Sequence, residues 1–373
     1  MPPTHGYSIM TVKDITSKLE EWAPLTYQED YDNCGLLVGD ENHQATGVLI
    51  TLDITEAVIE EAQKTGCNLI IAHHPLIFGG IKKITSQDWV GRCITSAIKN
   101  DISIYALHTN LDNTRSGVNG KIAEKIGLEN IEILSPKSDT LLKLVTFVPS
   151  ENAEDVTEAL YSAGAGTVGE YDKCSFQTEG IGTFRPSMKA HPTIGKLGER
   201  KSIQENRIEV LVPSHLQSSI VKSLKMAHPY EEVAYYLTPL ENKNQEVGSG
   251  IIGLLPDALG TSEFLLKLKS QMNLEVIRHT THTKATVQKI AVCGGSGSFL
   301  LPHAIQQNAD VLVSADFKYH DFFEADNQLI IADIGHYESE VFTKELIHDY
   351  LSQKFANIAF RLSEVVTNPI IYT

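Results

Sequence analysis

Four short apolar runs in this chain each end at or just before a histidine, and two of them add a carboxylate. They read NLIIA-His73-His74, ISIYAL-His108-Thr-Asn-Leu-Asp112, VLVSADFKY-His320 and LIIADIG-His336-Tyr-Glu-Ser-Glu340. Runs this short and this apolar, separated by helix-like stretches, predict strands of a parallel or mixed sheet covered on both faces. In open α/β sheets, ligands gather outside the carboxyl ends of the strands. Four such ends bearing imidazole and carboxylate therefore predict one shared site. A donor set without cysteine suits zinc, iron or manganese.

The alternation can be followed along the chain. Thr11 to Trp22 reads as an amphipathic helix, GVLITLDIT as a strand, and ITEAVIEEAQKTG as a helix stopped by Gly66. Helices are also predicted for Asp88 to Asn100 and for Gly120 to Gly127. Near Pro136 the pattern changes. LLKLVTFVP, the helix-like ENAEDVTEALYSAGA, a Gly-rich stretch, RIEVLVP, the helix-like SHLQSSIVKSLKMA and EVAYYLTPL follow in order. Two β-α-β-like units in this arrangement suggest a ferredoxin-like α+β domain. After the polar tract Glu241 to Glu246, α/β alternation resumes with KIAVC, a helix from Phe299 to Asn308, VLVSAD, LIIADIG and a helix from about Ser339 to Phe355. Both outer segments supply site motifs. The reading is an α/β domain of residues 1–136 and 247–373, interrupted by an insert of residues 137–246.

With 373 residues, 42% hydrophobic and 21% charged, the chain has room for two or three domains with real cores. Its net charge of −16 argues against unaided binding of DNA or RNA, where Lys and Arg must neutralise phosphates. The five cysteines are widely spaced and lack any C-x-x-C pair, as expected of reduced thiols in a cytoplasmic protein. No signal peptide or membrane span is read, because no apolar run is long enough.

Each candidate residue also has a plain structural explanation. His73 and His74 are adjacent, so in a regular strand they would point to opposite faces, one buried and one exposed. Both reach one site only if the strand has ended, and Pro75 favours extended geometry at His74. His336 and Glu340 are four apart and share a helix face, which ordinary polar residues also do. Asp112 suits a turn. Their joint occurrence at strand ends favours metal. Two imidazoles and two or three carboxylate oxygens can hold two cations about 3.5–4 Å apart, and a carboxylate such as Glu340 can bridge them. His108, Asp316 and His320 are candidates for catalytic support, orienting ligands or relaying protons, although structural hydrogen bonding accounts for them equally well. The Gly-rich turn Cys293 to Ser298 could cradle a phosphate; a plain tight turn is the preferred reading. His228-Pro-Tyr-Glu-Glu232 is read as the entry to a strand.

Taken together, Asp32-Asn-Cys-Gly-Leu-Leu-Val-Gly39, Leu52-Asp-Ile-Thr-Glu-Ala, Ala72-His-His-Pro75, His108-Thr-Asn-Leu-Asp112, Ser314-Ala-Asp-Phe-Lys-Tyr-His320 and Gly335-His-Tyr-Glu-Ser-Glu340 resemble the GTP cyclohydrolase 1 type 2 family, also called the Nif-three-like family. Ser314-Ala315 departs from it, since relatives more often have Thr-Gly there. The resemblance implies a Nif-three-like α/β domain with a dinuclear site ligated by His73, His74, Asp112, His336 and Glu340. It also implies a toroidal homo-hexamer with metal sites facing its interior. The insert resembles the PII/CutA-like domains of the longer bacterial branch. Two function classes follow. One is a two-metal hydrolase acting on a nucleotide or other phosphorylated small molecule; the other is a metal-binding scaffold or regulator without turnover.

Overall fold

A computed structural model describes residues 10–281 and 284–373. The chain divides into two compact units. One runs to Pro136 and resumes at Gln245; the other is Lys137–Asn244.

The larger unit is built on two sheets, where the alternation in the sequence had suggested one. The first has five strands, in the order Gly35–Val38, Ser103–Ala106, Leu69–Ala72, Val48–Thr51, Phe360–Leu362. Only Gly35–Val38 is antiparallel to its neighbour. The second has six strands, in the order Arg278–His279, Ile330–Asp333, Val311–Ala315, Thr286–Ser296, Gly248–Gly260, Glu129–Pro136. Its three central strands, Thr286–Ser296, Val311–Ala315 and Ile330–Asp333, are parallel, and the flanking pairs are antiparallel.

Side-chain alternation explains why two sheets need so many helices. Val48 and Ile50 of the first sheet and Ile290, Val292, Val311 and Val313 of the second belong to one buried core. Ile15 and Leu19, Ile122 and Ile126, Phe264 and Leu268, and Ile347 and Leu351 complete it. The helices that carry these pairs, Val12–Trp22, Val118–Ile126, Thr261–Gln271 and Thr343–Lys354, thus form a shared layer against both sheets. The opposite face of the first sheet, through Leu49, Ile70 and Ile104, packs on Val58, Ile59, Cys93 and Ile94 of the helices Glu56–Thr65 and Trp89–Lys99. The opposite face of the second, through Ala291, Leu312 and Ile331, packs on Leu301 and Ala304. Strands covered on both faces read as unbroken apolar runs, which is how these announced themselves.

Helix ends follow the local chemistry. Thr11 and Asp14 form a reciprocal capping box before Val12–Trp22. Asp88 accepts from the Gly91 N–H at 2.7 Å to open Trp89–Lys99. The predicted helix from Ser339 onward is instead two, His336–Glu340 and Thr343–Lys354. Ser339 donates its hydroxyl to the His336 carbonyl at 2.8 Å, a local bond that competes with continued helix.

The smaller unit runs β-α-β-β-α-β. Its strands lie in the order Ser175–Phe184, Lys201–Pro213, Leu141–Pro149, Tyr235–Pro239, all antiparallel. The helices Ala153–Ser162 and Gln217–Ala227 cover one face, packing Val156, Leu160, Ile220 and Leu224 on Leu144, Ile208 and Val210. The Gly-rich stretch of the sequence contains a full strand, Ser175–Phe184, paired along its whole length with Lys201–Pro213. Gly180 and Gly182 leave gaps in its side-chain alternation, which conceals the period-two signal.

Candidate metal centre

Strand ends from both sheets of the larger unit converge. His73 and His74 follow Leu69–Ala72, and their N–H groups still donate to Thr51 and Leu52 at 3.2 and 2.9 Å. Past the strand the alternation fails, and both rings reach the same place. From the second sheet, Ile330–Asp333 ends, Gly335 turns the chain at φ 89°, and His336–Glu340 begins. One helical turn brings Glu340 beside His336, with Oε2 3.0 Å from Nε2.

Glu340 joins the donors. Its Oε2 lies 2.9 Å from His74 Nε2, and its Oε1 lies 3.8 Å from His73 Nε2. His73 Nε2 is 3.6 Å from Asp112 Oδ1. The two histidines His74 and His336 approach to 3.3 Å between Nε2 atoms. Among the described residues, three donor groups have ligand atoms within 4.8 Å of one another: His74, His336 and Glu340; His73, Asp112 and Glu340; and His73, His74 and His108. Glu340 thus belongs to two groups.

The other nitrogen of each histidine is tied down. His73 Nδ1 meets the Leu107 carbonyl at 2.7 Å, His74 Nδ1 meets Asp53 at 2.7 Å, His336 Nδ1 meets Asp316 at 2.7 Å, and His108 Nδ1 meets Asp32 at 2.8 Å. A carbonyl or carboxylate accepts a proton from Nδ1, which leaves the Nε2 lone pair for a cation. Asp316 holds its position in the left-handed region, at φ 59°, where Asp is tolerated better than most residues.

The electrostatics match a site built around positive charge. Burial opposes ionisation of Glu340, yet the hydrogen bonds from His336 and His74, with the His73 ring close by, hold its carboxyl well below the usual range. Burial, reinforced by the charge of Glu340, pushes Asp112 well above it. Burial lowers His73. His74 is raised to about 9: burial works against the charge, and the bonds to Asp53 and Glu340 overcome it. Asp316 and then Glu340 raise His336 to about 11. Two atoms show what these protons do not supply. His73 Nε2 and Asp112 Oδ1 are buried and have no hydrogen-bond partner. Two buried acceptors facing each other without a donor fit a shared cation, so the residues present suit a metal.

Cys293 to Ser298 acts as a close-packed turn here. The Gly294 N–H donates to Asn119 at 2.9 Å, and the Gly295 N–H donates to Ser339 at 2.9 Å. These donors are therefore already engaged. Gly295 lies at φ 57°, and a Cβ there would meet Glu340 Oε1 at 2.4 Å. The missing side chain makes room for the carboxylate. Ser314 supports the turn by donating its hydroxyl to the Gly295 carbonyl at 3.0 Å.

His320 stands apart. Its ring neighbours are Tyr319 at 5.2 Å and Phe323 at 6.2 Å, and it belongs to none of the donor groups among the described residues. His108, by contrast, is in a donor group and faces the cavity above the cluster. That cavity measures about 490 Å³, and Tyr31, Phe78 and Phe299 on its wall are largely exposed, at 65%, 52% and 59%.

Known proteins share this architecture. The profile of the Duf34/NIF3 (NGG1p interacting factor 3) family matches residues 10–369. This chain belongs to the Duf34/NIF3 family. Two curated NIF3 relatives, each named GTP cyclohydrolase 1 type 2 homolog, are 38% identical to it. The one from Halalkalibacterium halodurans aligns over 96% of this chain and 98% of its own length, and the one from Bacillus subtilis does the same. The crystal structure of a Bacillus cereus protein related to NIF3 is 38% identical, with a TM-score of 0.88, and covers 98% of this chain and 100% of that one. A Staphylococcus aureus protein of known structure matches at 30% identity and a TM-score of 0.77, covering 98% of this chain and 99% of that one.

Two carboxylates in this NIF3 site have no role in the sequence reading, although both lie in motifs that carry the family resemblance. Asp53 follows the strand Val48–Thr51 and orients His74; Asp32 precedes Gly35–Val38 and orients His108. Apart from that motif, a carboxylate just past an apolar run was the signal available for Asp53. Its second oxygen accepts from Thr367 at 2.5 Å, which ties the C-terminal segment to the site. Asp53→Asn is expected to weaken zinc binding by about 10–100-fold, as read by competition with a chelating dye. Thr367→Val should produce a smaller loss in the same direction. Unchanged affinity in both variants would remove the orienting role.

Proposed function

We propose that this NIF3-family protein binds two divalent cations, zinc, iron or manganese, and with them hydrolyses a nucleotide or other phosphorylated small molecule. The observation that carries the metal reading is the facing pair of partnerless buried atoms, His73 Nε2 and Asp112 Oδ1. In this reading His74, His336 and Glu340 would hold one ion and His73, Asp112 and Glu340 the other, Glu340 being common to both donor sets. Such a pair supplies Lewis acidity and activates water near neutral pH.

The remaining residues prepare the substrate's side of the reaction. Asp53, Asp316 and the Leu107 carbonyl fix the imidazoles. Asp32 holds His108 at the cavity wall, where its free nitrogen can exchange a proton with a substrate atom or a water. Burial opposes the negative charge of Asp32, but the bonds from His108 and Thr109 keep its carboxyl well below the usual range, so it stays ionised as an anchor. The exposed rings of Tyr31, Phe78 and Phe299 offer stacking surfaces for a planar base. The relatives' names point toward purine nucleotide chemistry.

We also read the smaller unit as a ferredoxin-like, PII/CutA-like insert, which its strand order and its pair of helices on one face support. The assembly we propose is a toroidal hexamer, in keeping with the closed symmetry common among homo-oligomers. Light scattering is expected to report six chains; a monomer at micromolar concentration would contradict the ring.

Activity is tested with protein reconstituted with zinc or manganese and incubated with GTP and with a panel of nucleotides and phosphoesters. Turnover of at least one member is expected, and it should vanish in a His74→Ala, Glu340→Ala double variant. A fully metallated protein inert toward the whole panel would favour the scaffold or regulator reading.

A further inference from the structure

The smaller unit holds a cavity of about 680 Å³ that the proposed chemistry does not use. It lies over the sheet face that the helices Ala153–Ser162 and Gln217–Ala227 leave uncovered. Its volume falls in the range of small-molecule pockets. Four aromatic rings line it, from Phe147, Phe184, Tyr230 and Tyr236. Phe147 and Tyr236 stand edge to face at 6.0 Å, and Phe184 and Tyr230 are tilted at 6.0 Å. Such rings offer flat apolar surfaces to a planar guest.

One buried charge points into this aromatic space. Glu205 is only 9% exposed. Its Oε1 accepts from the Tyr230 hydroxyl at 3.0 Å. Burial and the bond to Glu205 both raise Tyr230, so the phenol remains a donor. Its Oε2 lies over Gly182, at a place a Cβ would occupy: the atom would stand 1.8 Å from such a Cβ. The glycine that interrupts the strand pattern therefore seats a carboxylate. The seat is also braced from the other side. The Tyr230 N–H donates to His228 Nδ1 at 3.1 Å, so the His228 Nε2–H donates to the Phe147 carbonyl at 2.9 Å. The His228-Pro-Tyr segment thus fixes Tyr230 over Glu205. The cavity's charge balance is negative: Glu179, Glu205, Glu231 and Glu232 line it against Arg185 and Arg207. Arg207 is already paired with Glu209 at 2.8 Å.

We propose that this cavity binds a small planar molecule with a cationic or N–H-donating edge, of the amidine or amino-heterocycle class, and that Glu205 is the residue that recognises that edge. A carboxylate matches two parallel N–H donors on such an edge, and the aromatic walls favour a delocalised cation. A planar anion meets the same walls but is repelled by the carboxylates. The cavity shares no residue with the metal cluster, and its occupancy does not depend on that chemistry.

The probe is benzamidine, titrated calorimetrically into the full-length, metal-loaded protein, with benzoate as the planar anion of matching shape. Benzamidine is expected to bind saturably and at least about tenfold more tightly than benzoate. Glu205→Gln keeps the shape and can keep the Tyr230 bond, and it should weaken benzamidine by about tenfold or more. Tyr236→Ala changes an exposed ring, so it tests the wall even if the buried variant fails to fold; it should weaken benzamidine by about threefold or more. Equal affinity for the two probes, or benzamidine binding unchanged in both variants, overturns the proposal. So does the absence of saturable benzamidine binding up to about 10 mM. If, in that case, Tyr236→Ala also lowers the oligomeric state, the face is an interface between copies of this chain.

Discussion

Glu340→Ala is expected to lose most of the bound metal. The wild type should retain about two divalent ions per chain after desalting, and the variant a minor fraction of that. The reason lies in how many donors depend on one carboxylate. Glu340 Oε2 sits 2.9 Å from His74 and 3.0 Å from His336, and Oε1 sits 3.8 Å from His73. Removing it dismantles both proposed donor sets at once, whereas Asp112→Ala should spare the set formed with His74 and His336. Elemental analysis of the two variants side by side makes the comparison. Metal content that falls equally in both, or in neither, would contradict the bridging role of Glu340. Circular dichroism and a melting curve would show whether the fold survives each change.

Gly295→Ala should be nearly as damaging, although the glycine offers no ligand. Two costs combine. The backbone at φ 57° disfavours any residue with a Cβ, by roughly 1–2 kcal/mol for alanine. The added carbon would also stand 2.4 Å from Glu340 Oε1 and 3.2 Å from His336 Cε1. Gly295→Asn separates the two costs, because asparagine tolerates the left-handed region yet still brings a Cβ against Glu340. Both variants are expected to bind zinc at least about tenfold more weakly. If Gly295→Asn binds zinc like the wild type, the close approach to Glu340 is not what the glycine serves.

These two positions show what could be read in advance. The strands Leu69–Ala72, Ser103–Ala106, Val311–Ala315 and Ile330–Asp333 were legible because both of their faces are buried, so each is a largely apolar run. Helix limits at Thr11, Asp88 and Gly66 were legible because capping is local chemistry. The partition of strands into two sheets was not, since periodicity tells which way a side chain points and not which strand lies next to it. The strand Ser175–Phe184 was hidden by its own glycines.

The candidate site divides in the same way. His73, His74, Asp112, His336 and Glu340 were singled out because each follows an apolar run, and the structure brings them together. Asp53 and Asp32 act on histidines 21 and 76 positions away in sequence. Nothing local to either aspartate records that distance. Asp316 and His320 follow the same strand, yet only Asp316, one residue past its end, reaches His336; His320 turns toward Tyr319 and Phe323. The turn at Gly295 looks from sequence like any tight loop, because the carboxylate that needs the space arrives from Glu340, on a different element.

The cluster of histidines and carboxylates is proposed to hold a pair of divalent cations. The most direct test is anomalous diffraction at the zinc edge from crystals grown with zinc. The expected result is two peaks in each chain, one among His74, His336 and Glu340 and one among His73, Asp112 and Glu340. A map with no peak inside the cluster, or with zinc bound only elsewhere on the chain, would contradict it.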